Sequence, residues 1–127
     1  MAEPDVIDRA ALDALLETTG GDPGFLGELI DTYLGDSVGL LAAMRQAIAV
    51  ANPEELRRAA HSLKSNSASF GARTLASLCQ ELEQRARNGV LEGAPERLAH
   101  IERAYAAVED ALRALRPGGL IGPGREP

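Results

Sequence analysis

Twice in this chain a residue suited to capping a helix is followed at once by proline, at Asp22-Pro23 and Asn52-Pro53. An Asp or Asn side chain accepts from the free backbone N–H groups of a first helical turn, and proline has no N–H to waste there. Each pair is therefore a start signal. Stop signals answer them at Gly20-Gly21, Gly71, Asn88-Gly89 and Pro117-Gly118-Gly119, where glycine can take the left-handed conformation that ends a helix. Between these marks apolar residues recur at spacings of three and four, and no β-branched run alternates with period two.

Five helical segments result. The first spans about Asp8 to Thr18 with Leu12, Leu15 and Leu16 on one stripe, a short flap. The second starts at Pro23 and keeps helical period through Leu26, Ile30, Tyr33, Leu41, Met44 and Ile48 to Ala51, with Gly27, Gly35 and Gly39 as weak points where a kink is expected. The third runs from Pro53 to about Phe70, with Glu54 and Glu55 complementing its dipole. The fourth covers about Arg73 to Asn88, and the fifth starts near Pro95 and carries Leu98, Ile101, Tyr105, Val108, Leu112 and Leu115.

Four amphipathic helices joined by short loops near 52, 71 and 92 have one economical arrangement, an antiparallel up-down-up-down four-helix bundle, here with a short extra N-terminal helix. The fold class is all-α. Residues 1–117 form one domain, and 118–127, rich in Gly and Pro, read as a disordered C-terminal tail. A chain of 127 residues buries one core and has no room for a nucleotide-binding module beside a substrate domain.

The formal charge is −6 and the pI about 4.9, so the surface as a whole repels nucleic acid and anionic membranes. No apolar run approaches the roughly 20 residues that span a bilayer. A lone Cys79 excludes an internal disulfide, and the N-terminus lacks a signal-peptide pattern. The expected location is the cytoplasm.

On a helical wheel centred on His61, residues Leu56, Ala59, Leu63, Asn66 and Phe70 fall on the far side, while Glu54, Arg57, Arg58, Lys64, Ser65, Ala68 and Ala72 fall within about 60° of it. His61 should look outward from mid-helix among basic and small side chains. Between Glu55 and Glu81 no acidic residue occurs in a chain that holds 19, yet Arg57, Arg58, Lys64 and Arg73 lie there. Such a basic island suits an anion that arrives at one place. A neutral imidazole is a nucleophile at one nitrogen when the other carries the proton, and Lys64 one turn on can screen a phosphoryl charge. No phosphate-binding glycine loop and no metal-ligand spacing is present, which fits a passive carrier better than a kinase or phosphatase.

The stretch from Ala60-His61-Ser62-Leu63-Lys64-Ser65-Asn66-Ser67 to Phe70-Gly71-Ala72 closely resembles the signature of the histidine-containing phosphotransfer (HPt) family, His-x-Leu-Lys-Gly-Ser-Ser followed by Gly-Ala. Phe25-Leu26 through Leu34 and Leu75 through Glu83 resemble its flanking helices, so the likeness covers most of residues 22–89. It implies a four-helix bundle whose exposed histidine, here His61, accepts a phosphoryl group from one receiver-domain aspartate and passes it to another in a two-component phosphorelay, without being an enzyme. Lys64 matches the family's lysine. A residue of the next helix often bonds the inner nitrogen of the histidine, and by register that position is Glu83; His61 and Glu83 lie ten and twelve residues either side of Gly71. Arg87, one turn on, is within reach of a phosphate.

The implied partners are response-regulator receiver domains and a hybrid histidine kinase, with Arg57, Arg58, Ser65, Ala68 and Ala72 at the docking face. The protein is expected to act as a monomer without a cofactor of its own, magnesium belonging to the receiver. Ser65 departs from the family's usual glycine and Asn66 from its usual small residue. Ile7, Leu12 and Phe25 are candidates for an apolar docking patch.

Plainer readings stand beside these. Glu83 is equally well a solvated glutamate paired with Arg87, and Arg57 or Arg58 can pair with Glu54 or Glu55. Cys79 reads as core and His100 as surface. A helical adaptor that uses the same face without phosphorylation is the rival function, and the phosphoacceptor domain of a chemotaxis-type kinase is a third.

Overall fold

In the computed structural model, which describes residues 6–18 and 20–115, the Asp22 carboxylate accepts from the Gly24 N–H at 2.9 Å and the Asn52 side chain from the Glu55 N–H at 3.1 Å. Each cap opens a long helix with proline in its first turn. The order is α1 (Arg9–Thr18), α2 (Pro23–Ala49), α3 (Pro53–Ser69), α4 (Arg73–Arg87) and α5 (Ala94–Leu115), with no strand among the described residues.

Helix α2 passes unbroken through Gly27, Gly35 and Gly39. It stops two residues before the apolar period does, because Ala51 takes a left-handed conformation (φ 56°) and the Asn52 N–H turns back to the Ala47 carbonyl at 2.8 Å. That closes the last turn of α2 and leaves Asn52 free to cap α3.

Helix α3 packs on α2 and on α4, α4 on α5, and α5 closes the ring against α2. Turns at 50–52, 70–72 and 88–93 reverse the chain between neighbours, so the four long helices alternate in direction as expected for the bundle. Its centre is aliphatic: Ile30, Met44, Leu56, Leu63, Leu75, Leu82, Ile101 and Leu112 are fully buried, each worth roughly 1.5–3 kcal/mol of burial. Polar ties also cross this core, the shortest of them between α2 and α3. The hydroxyls of Tyr33 and Ser67 lie 2.7 Å apart, the Tyr33 ring rests on Phe70 at 4.9 Å, and burial pushes the Tyr33 hydroxyl up to about 12.

The flap α1 is fastened by its N-terminal end. The Asp8 N–H donates to the Gly71 carbonyl at 2.8 Å, the Asp8 carboxylate pairs with Arg73 at 2.7 Å, and the same carboxylate accepts from the Ala10 N–H. Gly71 has φ 76°, and a Cβ there would meet the Asp8 carbonyl at 2.7 Å. This close approach buries Ile7 and Leu12, so the apolar patch expected from Ile7, Leu12 and Phe25 is corrected: two of the three are covered, and Phe25 alone is exposed. No helix among the described residues is long and apolar enough to cross a membrane. The expected tail at 118–127 lies outside the described residues.

Candidate functional site

Midway along α3, one side of the helix faces the core through Leu56, Ala59, Ala60 and Leu63, and the opposite side carries His61 with 54% of its side chain exposed. The turn at Gly71 folds α4 back against this helix, and it brings Glu83 to the height of His61. Glu83 is the opposite of its neighbour in exposure: its side chain is 3% exposed.

Three cationic or protonated groups converge on that carboxylate. Oε2 stands 2.9 Å from Nδ1 of His61 and accepts from the Arg87 guanidinium at 2.9 Å, while Lys64 Nζ forms an ion pair with Oε1 at 2.8 Å. Burial by itself would raise the Glu83 carboxyl, but the bonds and charges from Lys64 and His61 outweigh it and hold the group below the usual carboxylate range. Glu83 is thus ionised and can only accept, so the proton at the contact belongs to Nδ1 and the ring's lone pair is on Nε2, the outward nitrogen.

The plain reading of Glu83 as a solvated glutamate is therefore set aside, although its pairing with Arg87 is real. Arg87, expected to reach toward a phosphate, is bonded to Glu83 in the resting chain, with 55% of its side chain exposed. Arg57 lies one turn before His61 and is held by two bonds to Glu54, at 3.1 and 2.6 Å. Arg73 is taken up by Asp8. Of the basic island, Arg58 is exposed and has no ion pair among the described residues, and Ser65 and Ala68 are exposed on the same helix.

Ala72 is a correction. It is 0% exposed and cannot touch a partner, because α3 ends at Ser69 and a wheel drawn for that helix does not apply beyond it. Asn66 is half-buried and lines an open cleft of about 280 Å³ between α1, α2 and α3, with Thr32, Asp36 and Ser69, so its amide is not sealed from water. Ser67, which the sequence marks only as part of the signature stretch, supports α3 from below through Tyr33; its spacing, four after Leu63 and three before Phe70, is the signal for that inward position. Cys79 is buried, its thiol pushed up to about 12 by burial, with the Glu83 charge adding to the effect. His100 is exposed on α5 beside Arg97 and Glu96, apart from this site.

His61 thus presents Nε2 to solvent, with a buried carboxylate behind the ring and two further cations beside it, an arrangement suited to holding an anionic group. The family model described as Hpt domain matches residues 28–116, and the chain belongs to that family. A crystal structure of histidine-containing phosphotransfer protein B from Pseudomonas aeruginosa PAO1 is similar at a TM-score of 0.82 and 33% identity, covering 91% of this chain and 97% of that one. Curated proteins contain no match. Proteins of the family are phosphoryl carriers that work with receiver domains and histidine kinases in phosphorelays, and histidine phosphotransfer is the activity of this chain at that level.

Proposed function

We propose that His61 is the phosphoryl carrier, accepting from a phospho-aspartate on one response-regulator receiver and passing the group to an aspartate on another. The observation that carries this reading is the division of the ring between a buried carboxylate at Nδ1 and solvent at Nε2. In acceptance, the Nε2 lone pair attacks phosphorus, the bond from phosphorus to the aspartate oxygen breaks, and the receiver's carboxylate leaves with that electron pair. The loose transition state asks the carrier mainly for position, and the receiver supplies the magnesium.

Arg58, Ser65 and Ala68, with Arg57 at the rim, form the surface on which a receiver sits; its acidic active site is complementary to the arginines. Lys64 is near enough to turn from Glu83 to the bound phosphoryl group. The protein acts as a cytoplasmic monomer, fed by a hybrid histidine kinase through that kinase's receiver.

Replacing His61 with Gln tests the assignment. Incubation with a phosphorylated receiver should label the natural chain in an acid-labile, alkali-stable form and leave the variant unlabelled at unchanged helicity. A variant that still accepts removes His61 from the role, and a natural chain that docks on receivers but takes no label is the adaptor.

A further inference from the structure

A histidine that carries phosphate faces a proton problem, and the arrangement around Glu83 bears on it. The resting ring holds its proton on Nδ1. Attack through Nε2 forms the N–P bond without releasing that proton, so the first product is an N-phosphorylated imidazolium. Donation reverses the step: a receiver carboxylate oxygen attacks phosphorus, the N–P bond breaks, and its electron pair returns to Nε2 of a neutral ring still protonated at Nδ1. Neither direction moves a proton. If Nδ1 loses its proton while the group is resident, however, the leaving group becomes an imidazolate, a far poorer one, and donation must wait for reprotonation.

We infer that Glu83 is a positioning residue that keeps the Nδ1 proton in place for as long as the phosphoryl group is resident, so that His61 always donates as an imidazolium. The inference rests on His61 being the carrier. Its ground is geometric. The carboxylate is buried, it is 2.9 Å from Nδ1, and Arg87 holds it from another side even after Lys64 turns to the phosphoryl group, so it does not swing into solvent when the ring becomes positively charged. A neutral amide there would orient the ring equally well but would not hold the proton by charge. A carboxylate against Nδ1 therefore favours prompt passage of the group over its storage.

The charged and titratable groups around this contact are few. Helix α3 presents Lys64 and, farther off, Arg57. Helix α4 presents Arg87 and the Cys79 thiol, which burial keeps neutral. The two nearest cations stabilise the Glu83 charge, and neither can replace it as an acceptor for the ring proton.

Two measurements test this. In the unmutated chain, ¹⁵N-labelled at histidine and phosphorylated with phosphoramidate, the Nδ1 shift is followed from about pH 6 to about pH 9. The proton should persist to a pH at least one unit above that of the same phosphorylated chain unfolded in urea, roughly a tenfold gain in proton affinity. Loss of the proton at the same pH in both overturns the inference. Second, donation to a receiver domain is timed across the same range for the natural chain, Glu83→Gln and Glu83→Asp. The natural chain should hold its rate to a pH at least one unit above that at which the Gln variant begins to fall, roughly tenfold per pH unit, and the Asp variant should restore the longer plateau. A Gln variant that holds its rate as far as the natural chain overturns the inference while leaving His61 as carrier; a natural chain that takes no phosphoryl group overturns both. Should the Gln variant not fold, the ring titration of the unmutated chain decides alone.

Discussion

The Lys64 ammonium and the Glu83 carboxylate lie 2.8 Å apart, so the lysine one turn beyond His61 is engaged in the resting protein. On the proposed function Lys64 serves Glu83 first and the phosphoryl group after it. Its removal should therefore be felt in the resting protein as well as in transfer.

Lys64→Ala leaves a buried carboxylate with less compensation and should cost about 1–2 kcal/mol near neutral pH. The sign of its pH dependence follows from Glu83. Its carboxyl is lowered in the folded state, so the stabilisation it brings is complete above the carboxylate value of the unfolded chain and is lost as pH falls through the lower folded value. Without Lys64 that lowering shrinks, and urea denaturation should show the variant and the natural chain converging in stability on going from pH 7 into the acid range. A constant difference at every pH would contradict this account.

Gly71 and Gly89 form a matched pair. Both have positive φ, at 76° and 75°, but a Cβ at Gly71 meets the Asp8 backbone whereas one at Gly89 meets nothing within 4 Å. Alanine at either site incurs about 1 kcal/mol for the left-handed conformation, and at Gly71 the clash adds to it. Gly71→Ala should lower the melting temperature several degrees more than Gly89→Ala and make α1 the first site of limited proteolysis. Equal losses would mean that α1 is not fastened at that turn.

Ala51 holds a left-handed conformation that costs a residue with a Cβ about 1 kcal/mol relative to glycine. Ala51→Gly should therefore be neutral or stabilising by up to about 0.5–1 kcal/mol, the added freedom of the unfolded chain offsetting part of the gain. Thermal denaturation reads this directly, and a clear loss of stability would contradict it.

The Cys79 thiol is buried and pushed up to about 12. Since the thiolate is the nucleophile, alkylation with iodoacetamide at pH 8 should be slow in the native protein and rapid in urea. Equal rates would require an open path to the sulfur that the packing of α4 does not provide.

Much of this could be read from the chain because its helix ends are written in local chemistry. Asp22 and Asn52 cap within their own first turns, and Gly71 sets a hairpin whose symmetry carries register from His61 to Glu83. Burial was harder to read, since it depends on which elements meet. Ala72 looked exposed only on a wheel extended past the end of α3, and Ile7 and Leu12 are covered because a glycine 64 positions after Ile7 admits the backbone of Asp8. Spacing shows the i,i+4 pairing of Glu83 with Arg87, but not that Lys64, on the other helix, shares the same carboxylate, since reach along a long side chain is set by the partner it finds.

His61, Lys64 and Arg87, which bond to Glu83, come like it from α3 and α4, and the loop that joins those helices is three residues long. On the proposed function the working part is therefore a single hairpin, and α1, α2 and α5 serve as its mounting. Sequence change on those mounting helices can retune stability, or which molecules the protein meets, while Nε2 of His61 keeps its immediate surroundings.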